Sequence, residues 1–234
     1  SQPEKATAVR RGVLGAGNFA GAVMLPALAK LPQIERVAIA SASGLRAHAA
    51  AQKYGFHSAA ADETELLNNP QVNTIAILTR HDLHAGQVVR ALQAGKHVLC
   101  EKPLALNNEQ LDEIQAALQQ SPQCLLSVGF NRRFAPHAQY LYEFLSDRQE
   151  PVVAHYRVNA GFLPLTHWLH DPEQGGGRII GEGCHFIDFL TFLVGAPPVA
   201  VRAQALPDQG RYREDNAILT FTFPDGSLGT VTYL

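Results

Sequence analysis

Charge of either sign is scarce in this chain. Asp, Glu, Lys and Arg make up 17% of its 234 residues and nearly cancel, to a net −2. Such a balance offers no electrostatic handle for nucleic acid or for an anionic membrane surface. No apolar run is long enough to span a bilayer, and no basic-then-apolar leader opens the sequence. Cysteine is rare and odd in number: Cys100, Cys124 and Cys184 are far apart, with no Cys-x-x-Cys. That speaks against a disulfide frame and for three free thiols in a reducing, cytoplasmic setting. The ten histidines show no spacing of a structural metal site, so no metal is expected. Internal repeats and low-complexity tracts are absent.

What is present is apolar content of 46% in a length that suits one large or two small domains. The most informative stretch is Gly15-x-Gly17-x-x-Ala20. An apolar strand, Val9 to Leu14, runs into it, and an apolar helix carrying Phe19, Val23, Met24, Leu25, Leu28 and Leu31 follows. In a dinucleotide fingerprint the first glycine makes the tight turn, the second admits a pyrophosphate, and the third small residue packs helix on strand. The helix N-terminus offers N–H groups and a positive dipole end to phosphates. The alternative is a glycine turn without a ligand. The acidic residue that usually closes the second strand and binds the adenosine ribose is missing. Arg36-Val-Ala-Ile-Ala ends instead at Ser41, Ser43 and Arg46. These three suit a 2′-phosphate and tilt the reading toward NADP, although Ser41 is compatible with NAD as well.

Beyond the turn, strands and helices alternate. Helices are expected over 45–54, from a cap at Asp62, over 82–94 and over 107–120. Strands are expected at 73–79, 96–100 and 124–128. Such alternation predicts a doubly wound parallel sheet. After about residue 131 the pattern changes. It becomes a helix (136–146), a strand (152–159), an irregular glycine-rich stretch (161–177), a helix (179–194) and three β-rich runs (199–206, 217–223, 229–234), with a turn at Pro224-Asp-Gly-Ser. We read a Rossmann domain over 1–131 and an α+β domain with a mainly antiparallel sheet over 132–234. Residues 1–7 read as a frayed polar start, and the abrupt end inside a strand reads as a truncation.

Two further clusters carry chemistry. Glu101-Lys102-Pro103 follows a parallel strand, where open α/β sheets place their ligands. A partly desolvated lysine beside a cofactor has its charged form disfavoured and can move protons, the alternative being a surface lysine. On the helix after Gly175-Gly-Gly177, His185 and Asp188 share a face, with Glu182 one turn earlier. This is an acid/base set, or else a pair bonded to each other.

GAGNFA (15–20), EKPLAL (101–106), VGFNRRF (128–134) and GGGRIIGEGCHFIDFL (175–190), in this order, resemble the Gfo/Idh/MocA family of NAD(P)-dependent oxidoreductases. The resemblance implies a Rossmann domain followed by an α+β domain whose sheet often forms a dimer contact. It implies that Asn18 and Phe19, with the glycines, face the cofactor. The loop after the fourth strand, with Thr79, His81 and His84, and Glu101 would lie against it too. Lys102 matches the catalytic lysine. His185 matches the histidine of an Asp-x-x-x-His pair whose aspartate position is Gly181 here, with Glu182 adjacent and about 100° away on a helix. The wording LTRHDLHA (78–85) and GRIIGEGCHFID resembles the branch in which this module follows an alcohol dehydrogenase-like domain in a longer polypeptide.

The reading is an NAD(P)-dependent dehydrogenase acting on a CH–OH group of a sugar, sugar derivative or cyclitol, with Lys102 and His185 handling protons. Asn131, Arg132, His167, Trp168, Glu182 and Asp188 are substrate candidates, while Arg133 and Phe134 are read as packing. Alternatives are a dinucleotide-binding regulator without turnover, or a lyase or glycosidase with a retained NAD.

Overall fold

A computed structural model describes residues 8–234. The first seven residues, and the reading of them as a frayed start, lie outside the described residues. The chain divides into two compact units after Gly129.

The first unit is a six-stranded parallel sheet in the order β3-β2-β1-β4-β5-β6, with β1 (Val9–Leu14), β2 (Ile34–Ala40), β3 (Ser58–Ala59), β4 (Thr74–Ile77), β5 (His97–Cys100) and β6 (Leu126–Val128). The two-residue strand β3 was not read from the sequence. Period-two alternation sends neighbouring residues to opposite faces. Val13, Ile39 and Ala76 face one layer, with Leu25, Leu28, Ala50 and Ala51 of α1 (Leu25–Ala29) and α2 (Gly44–Tyr54). Leu14, Ala40 and Ile77 face the other, with residues of α3 (Glu63–Asn68), α4 (His81–Gln93) and α5 (Asn108–Gln120). All four residues of β4 are buried, as a strand covered on both faces requires. The cap expected at Asp62 is present: its carboxylate accepts the Glu65 N–H at 2.9 Å, and the Glu65 carboxylate accepts the Ala61 N–H at 2.7 Å.

The first helix departs from expectation. It opens as a π-turn, Ala20–Met24, and is α-helical only over Leu25–Ala29. Pro26 explains this. It has no N–H to give, and its ring crowds the carbonyl four residues back. The Leu25 N–H reaches Ala20 O instead. That leaves the Gly21 carbonyl without the partner a wider turn would bring, and the Tyr54 hydroxyl donates to it at 2.8 Å.

The second unit holds α6 (Pro136–Ser146), β7 (Val153–Val158), α7 (Cys184–Val194), β8 (Ala200–Ala205), β9 (Ala217–Thr222) and β10 (Leu228–Tyr233). Its sheet order is β7-β10-β9-β8. It is mixed: β10 runs antiparallel to β9 but parallel to β7, because the irregular stretch and α7 lie between them in the chain. Phe186, Leu190 and Val194 of α7 pack on Leu219, Phe221, Phe223, Val231 and Tyr233. The other face of β9 is exposed. The helix expected from residue 179 also begins as a π-turn, Ile179–Gly183.

Gly175 closes the loop that leads to α7. A Cβ there would lie 2.4 Å from the Leu169 main chain. Gly175→Ala therefore forces two backbone segments apart, and it should lower the stability of this unit by about 2 kcal/mol or more. Urea unfolding read by the intrinsic fluorescence of Trp168 measures this.

Candidate functional site

In the first unit the strand order reverses beside β1 and β4, where open parallel sheets bind ligands at the strands' C-terminal ends. The turn at Gly15 sits there. Gly15 has φ 105°, and a Cβ on it would meet Leu78 O at 2.6 Å and the Thr79 N at 3.1 Å. Its N–H donates to Ala40 O at 2.8 Å, while the Leu78 N–H donates to Leu14 O at 2.7 Å. Three strand ends thus converge on one residue that only glycine fits. A Cβ at Gly17 would meet nothing within 4 Å, so that position opens onto free space. Asn18 and Phe19 are exposed, and Ala20 is fully buried against the sheet, as the packing role of the third small residue requires.

Ser41 is half-buried at the end of β2. The Ser43 hydroxyl caps α2 by accepting the Arg46 N–H at 3.4 Å, and the first turn carries no acid. Arg46 is exposed.

Thr79 follows β4, and its hydroxyl lies 2.6 Å from the Gln87 amide oxygen. His81 is the first residue of α4, with its ring 5.8 Å from that of His84. His84 lies on α4, not in the loop before it, and is 1% exposed. That burial leaves the ring no surface to lay against a ligand. Its Nδ1 is 2.7 Å from Pro103 O and its Nε2 is 3.2 Å from Thr79 O. A neutral imidazole donates only once, so the shorter contact takes the proton. His84 thereby ties the turn after β5 to α4. Burial lowers its pKa, its two carbonyl neighbours pull it back up, and the charge of Lys102 lowers it further.

Glu101 and Lys102 occupy that turn, and the Glu101 N–H donates to Ile77 O at 3.0 Å. The Glu101 carboxylate presses on Gly129, where a Cβ would be 2.7 Å from Oε1. Burial raises the Glu101 pKa, opposed by the Lys102 N–H and the Lys102 charge. Lys102 is half-buried and precedes a cis peptide bond to Pro103.

In the second unit, His185 is buried on the first turn of α7 with the ring of Phe130 edge-on at 6.2 Å. Asp188, three residues on, is clamped by Arg133: Nε donates to Oδ2 at 2.6 Å and Nη2 donates to Oδ1. This corrects an expectation: Arg133 is an ion-pair partner rather than packing. It engages both oxygens of Asp188, a substrate candidate. Phe134 is 76% exposed, so it is not packing either. Asn131 and Arg132 lie in the turn before α6, and the Arg132 guanidinium stands 4.8 Å over the Phe186 ring.

Glu182 accepts from Arg178 Nε at 2.9 Å and from the Tyr233 hydroxyl. Burial, then Glu182, pushes the Tyr233 pKa up. Arg178 also donates to Gly161 O at 2.7 Å and lies 3.7 Å from Asp215. Sequence reasoning missed Arg178, Tyr233 and Gln87. The i,i+4 spacing of Arg178 and Glu182 was a usable signal, whereas Tyr233 is 51 residues from Glu182 and gave none. His167 caps the short turn Trp168–His170 by accepting the Leu169 N–H at 3.2 Å. His167 and Trp168 line a cavity of about 510 Å³ with Asp171, Gln174 and Arg213. Among the described residues the cysteines form no disulfide, and Cys100 and Cys124 are buried. Among the described residues no helix is long and apolar enough to cross a membrane.

A family model described as oxidoreductase family, NAD-binding Rossmann fold (Gfo/Idh/MocA), matches residues 9–130, and one for the Gfo/Idh/MocA C-terminal domain matches residues 150–233. The chain is similar to 1,5-anhydro-D-fructose reductase of Ensifer adhaerens, with 32% identity over 192 residues, 81% of this chain and 57% of that protein. It is similar to inositol 2-dehydrogenase of Rhizobium meliloti (strain 1021), with 31% identity over 222 residues, 90% of this chain and 64% of that protein. Among solved structures, an oxidoreductase domain protein from Kribbella flavida superposes with a TM-score of 0.82 at 26% identity, over 97% of this chain and 67% of that one. The chain therefore spans less than two thirds of the length of the two curated relatives.

The lowered pKa of His84 has a stability consequence. The unfolded chain binds a proton to this imidazole at a higher pH than the folded chain does. The folded state thus loses stability as pH falls from about 7.5 to 5.5, below the ordinary imidazole value. His84→Asn keeps an N–H for Pro103 O but cannot titrate. Its unfolding midpoint should fall less over the same interval, as thermal melts at the two pH values will report.

Proposed function

Since the chain belongs to the Gfo/Idh/MocA oxidoreductase family, we propose that its first unit holds a nicotinamide dinucleotide. The protein then moves a hydride between the nicotinamide and a carbinol carbon of a sugar, sugar derivative or cyclitol. The observation that carries this reading is the turn at Gly15, pressed on the Leu78–Thr79 main chain at the point where the strand order reverses. The residues present fit such a cofactor. Space is open over Gly17, and the start of α2 carries a hydroxyl cap and no acid.

When bound, the cofactor supplies or takes up the hydride. Gly15, Gly17, Asn18 and Phe19 form the phosphate turn, and Thr79 and His81 flank it. Ser41, Ser43 and Arg46 meet the adenosine end and favour a 2′-phosphate, hence NADP. Lys102 gives or takes the proton of the reacting hydroxyl, held in place through the Glu101 N–H and through Pro103 O on His84. His185 is assigned the second proton-handling or substrate-orienting role. In the second unit, His167 and Trp168 present a polar edge and a flat face to a sugar, with Asn131 and Arg132 as further contacts. The exposed face of the second sheet is proposed to seat a second copy of the chain.

Fluorescence titration with NADH and NADPH, followed by a polyol screen, tests this. Lys102→Met should keep cofactor binding within about twofold and lower turnover by at least about 100-fold. Ser41→Asp should weaken NADPH more than NADH, because a carboxylate repels a phosphate. Sedimentation of the same samples reports the oligomer. No binding of either cofactor by a folded chain overturns the reading. Exchangeable binding without turnover of any polyol would point to a regulator. A resident cofactor with no net NADH formed would point to a lyase or glycosidase.

A further inference from the structure

Four side chains of the first unit form a line that no motif predicted: Arg90, Glu63, Gln87 and Thr79. Arg90 donates to both oxygens of Glu63, from Nε at 2.7 Å and from Nη2 at 3.1 Å. Glu63 lies on the first turn of α3, and Gln87 and Arg90 lie on α4. The Gln87 Nε2 is 3.2 Å from Glu63 Oε2, and its Oε1 is 2.6 Å from Thr79 Oγ1.

The direction of every hydrogen in this line follows from chemistry. An ionised carboxylate only accepts, so the amide NH2 of Gln87 must face Glu63. The amide oxygen must then face Thr79. Two oxygens 2.6 Å apart attract only if a hydrogen lies between them, and Thr79 is the one that has a hydrogen to give. Gln87 is 6% exposed, so water does not compete for it. A threonine hydroxyl has one hydrogen, and here it is spent. Whatever else meets Thr79 Oγ1 finds lone pairs only.

Thr79 stands at the reversal of the strand order, with its backbone nitrogen 3.1 Å from where a Cβ on Gly15 would be. We infer that Gln87 and Glu63 are positioning residues that hold the Thr79 hydroxyl as a hydrogen-bond acceptor for an N–H or O–H donor of the bound dinucleotide. Two donor sources share this chemistry, the carboxamide NH2 of the nicotinamide and the ribose hydroxyls. The inference rests on the proposal that this crevice takes a dinucleotide.

The test is a fluorescence titration of the unaltered chain and of Thr79→Val, Thr79→Ser, Gln87→Leu and Glu63→Gln. The ligands are the preferred reduced cofactor and its 3-acetylpyridine analogue, in which a methyl replaces the carboxamide nitrogen. Thr79→Val should weaken the parent cofactor roughly fivefold, the worth of one hydrogen bond, and Gln87→Leu, which leaves the hydroxyl but frees its direction, by a smaller but measurable factor. Glu63→Gln frees the Gln87 amide to turn over and should weaken it by a smaller factor. Thr79→Ser, which keeps the hydroxyl, should restore the unaltered affinity, a rescue that a merely structural role would not give. If the donor is the carboxamide, the analogue binds the unaltered chain and Thr79→Val equally. If it is a ribose hydroxyl, the fivefold loss persists with the analogue. Unaltered affinity in Thr79→Val overturns the inference, as does unaltered affinity in both Gln87→Leu and Glu63→Gln. If Gln87→Leu does not fold, the Thr79 and Glu63 variants decide alone. Failure of the unaltered chain to bind any dinucleotide removes the dinucleotide reading and the inference together.

Discussion

The first unit depends on how closely the turn at Gly15 approaches the end of β4. With 2.6 Å between a would-be Cβ and Leu78 O, no side chain fits, and the positive φ disfavours any residue but glycine. That contact brings the ends of β1, β2 and β4 together by main-chain bonds alone. Thr79 is placed by this contact, and so is the turn holding Glu101 and Lys102, which hangs from Ile77 O on the same strand.

Around this fixed point, polar side chains are used to orient one another. His84 holds the carbonyl of Pro103, Tyr54 satisfies a carbonyl stranded by Pro26, and Gln87 sets the hydroxyl of Thr79. Buried polar groups of this kind cost stability when unpaired, so each partner restricts the other to one arrangement. The same logic shapes the second unit on a larger scale. Arg178 is 5% exposed and Asp215 is 3% exposed. A guanidinium so placed stays charged because Glu182, Asp215 and Gly161 O surround it and the Tyr233 ring lies 5.1 Å from it. Its bonds join the irregular loop to the π-turn before α7. Arg133 and Asp188 then fix α7 to the turn before α6, with His185 one turn away on the same helix.

Local rules of chain chemistry made much of this legible. The glycine turn, the strand–helix alternation, the Asp62 cap and the turn at residues 224–227 are short-range features, and they stand where the spacing put them. The two π-turns were not legible as such. At Pro26 the cause is local, but the hydroxyl that makes the turn tolerable comes from Tyr54, far along the chain. The parallel pairing of β7 with β10 depends on which strand a distant segment meets, and alternation along either strand is blind to that.

The site divides in the same way. The turn at Gly15 followed from the sequence, because turn geometry allows few substitutes there, while Lys102 and His185 entered as proton-handling candidates through the family resemblance. What each neighbouring side chain does was decided by tertiary structure. Asp188 reads as an acid on a helix face until Arg133 takes both its oxygens. Glu182 reads as a substrate candidate beside Gly181, and the structure sets its carboxylate against Arg178 and Tyr233. His84 reads as a residue to lie against the cofactor until burial sets it against two carbonyls. The sequence by itself determined which groups are available and where the backbone must turn, since those depend on residues a few positions apart. Only the fold decided which carboxylate, hydroxyl or imidazole remains available for chemistry, since a hydrogen bond from 24 or 55 residues away removes one and orients another.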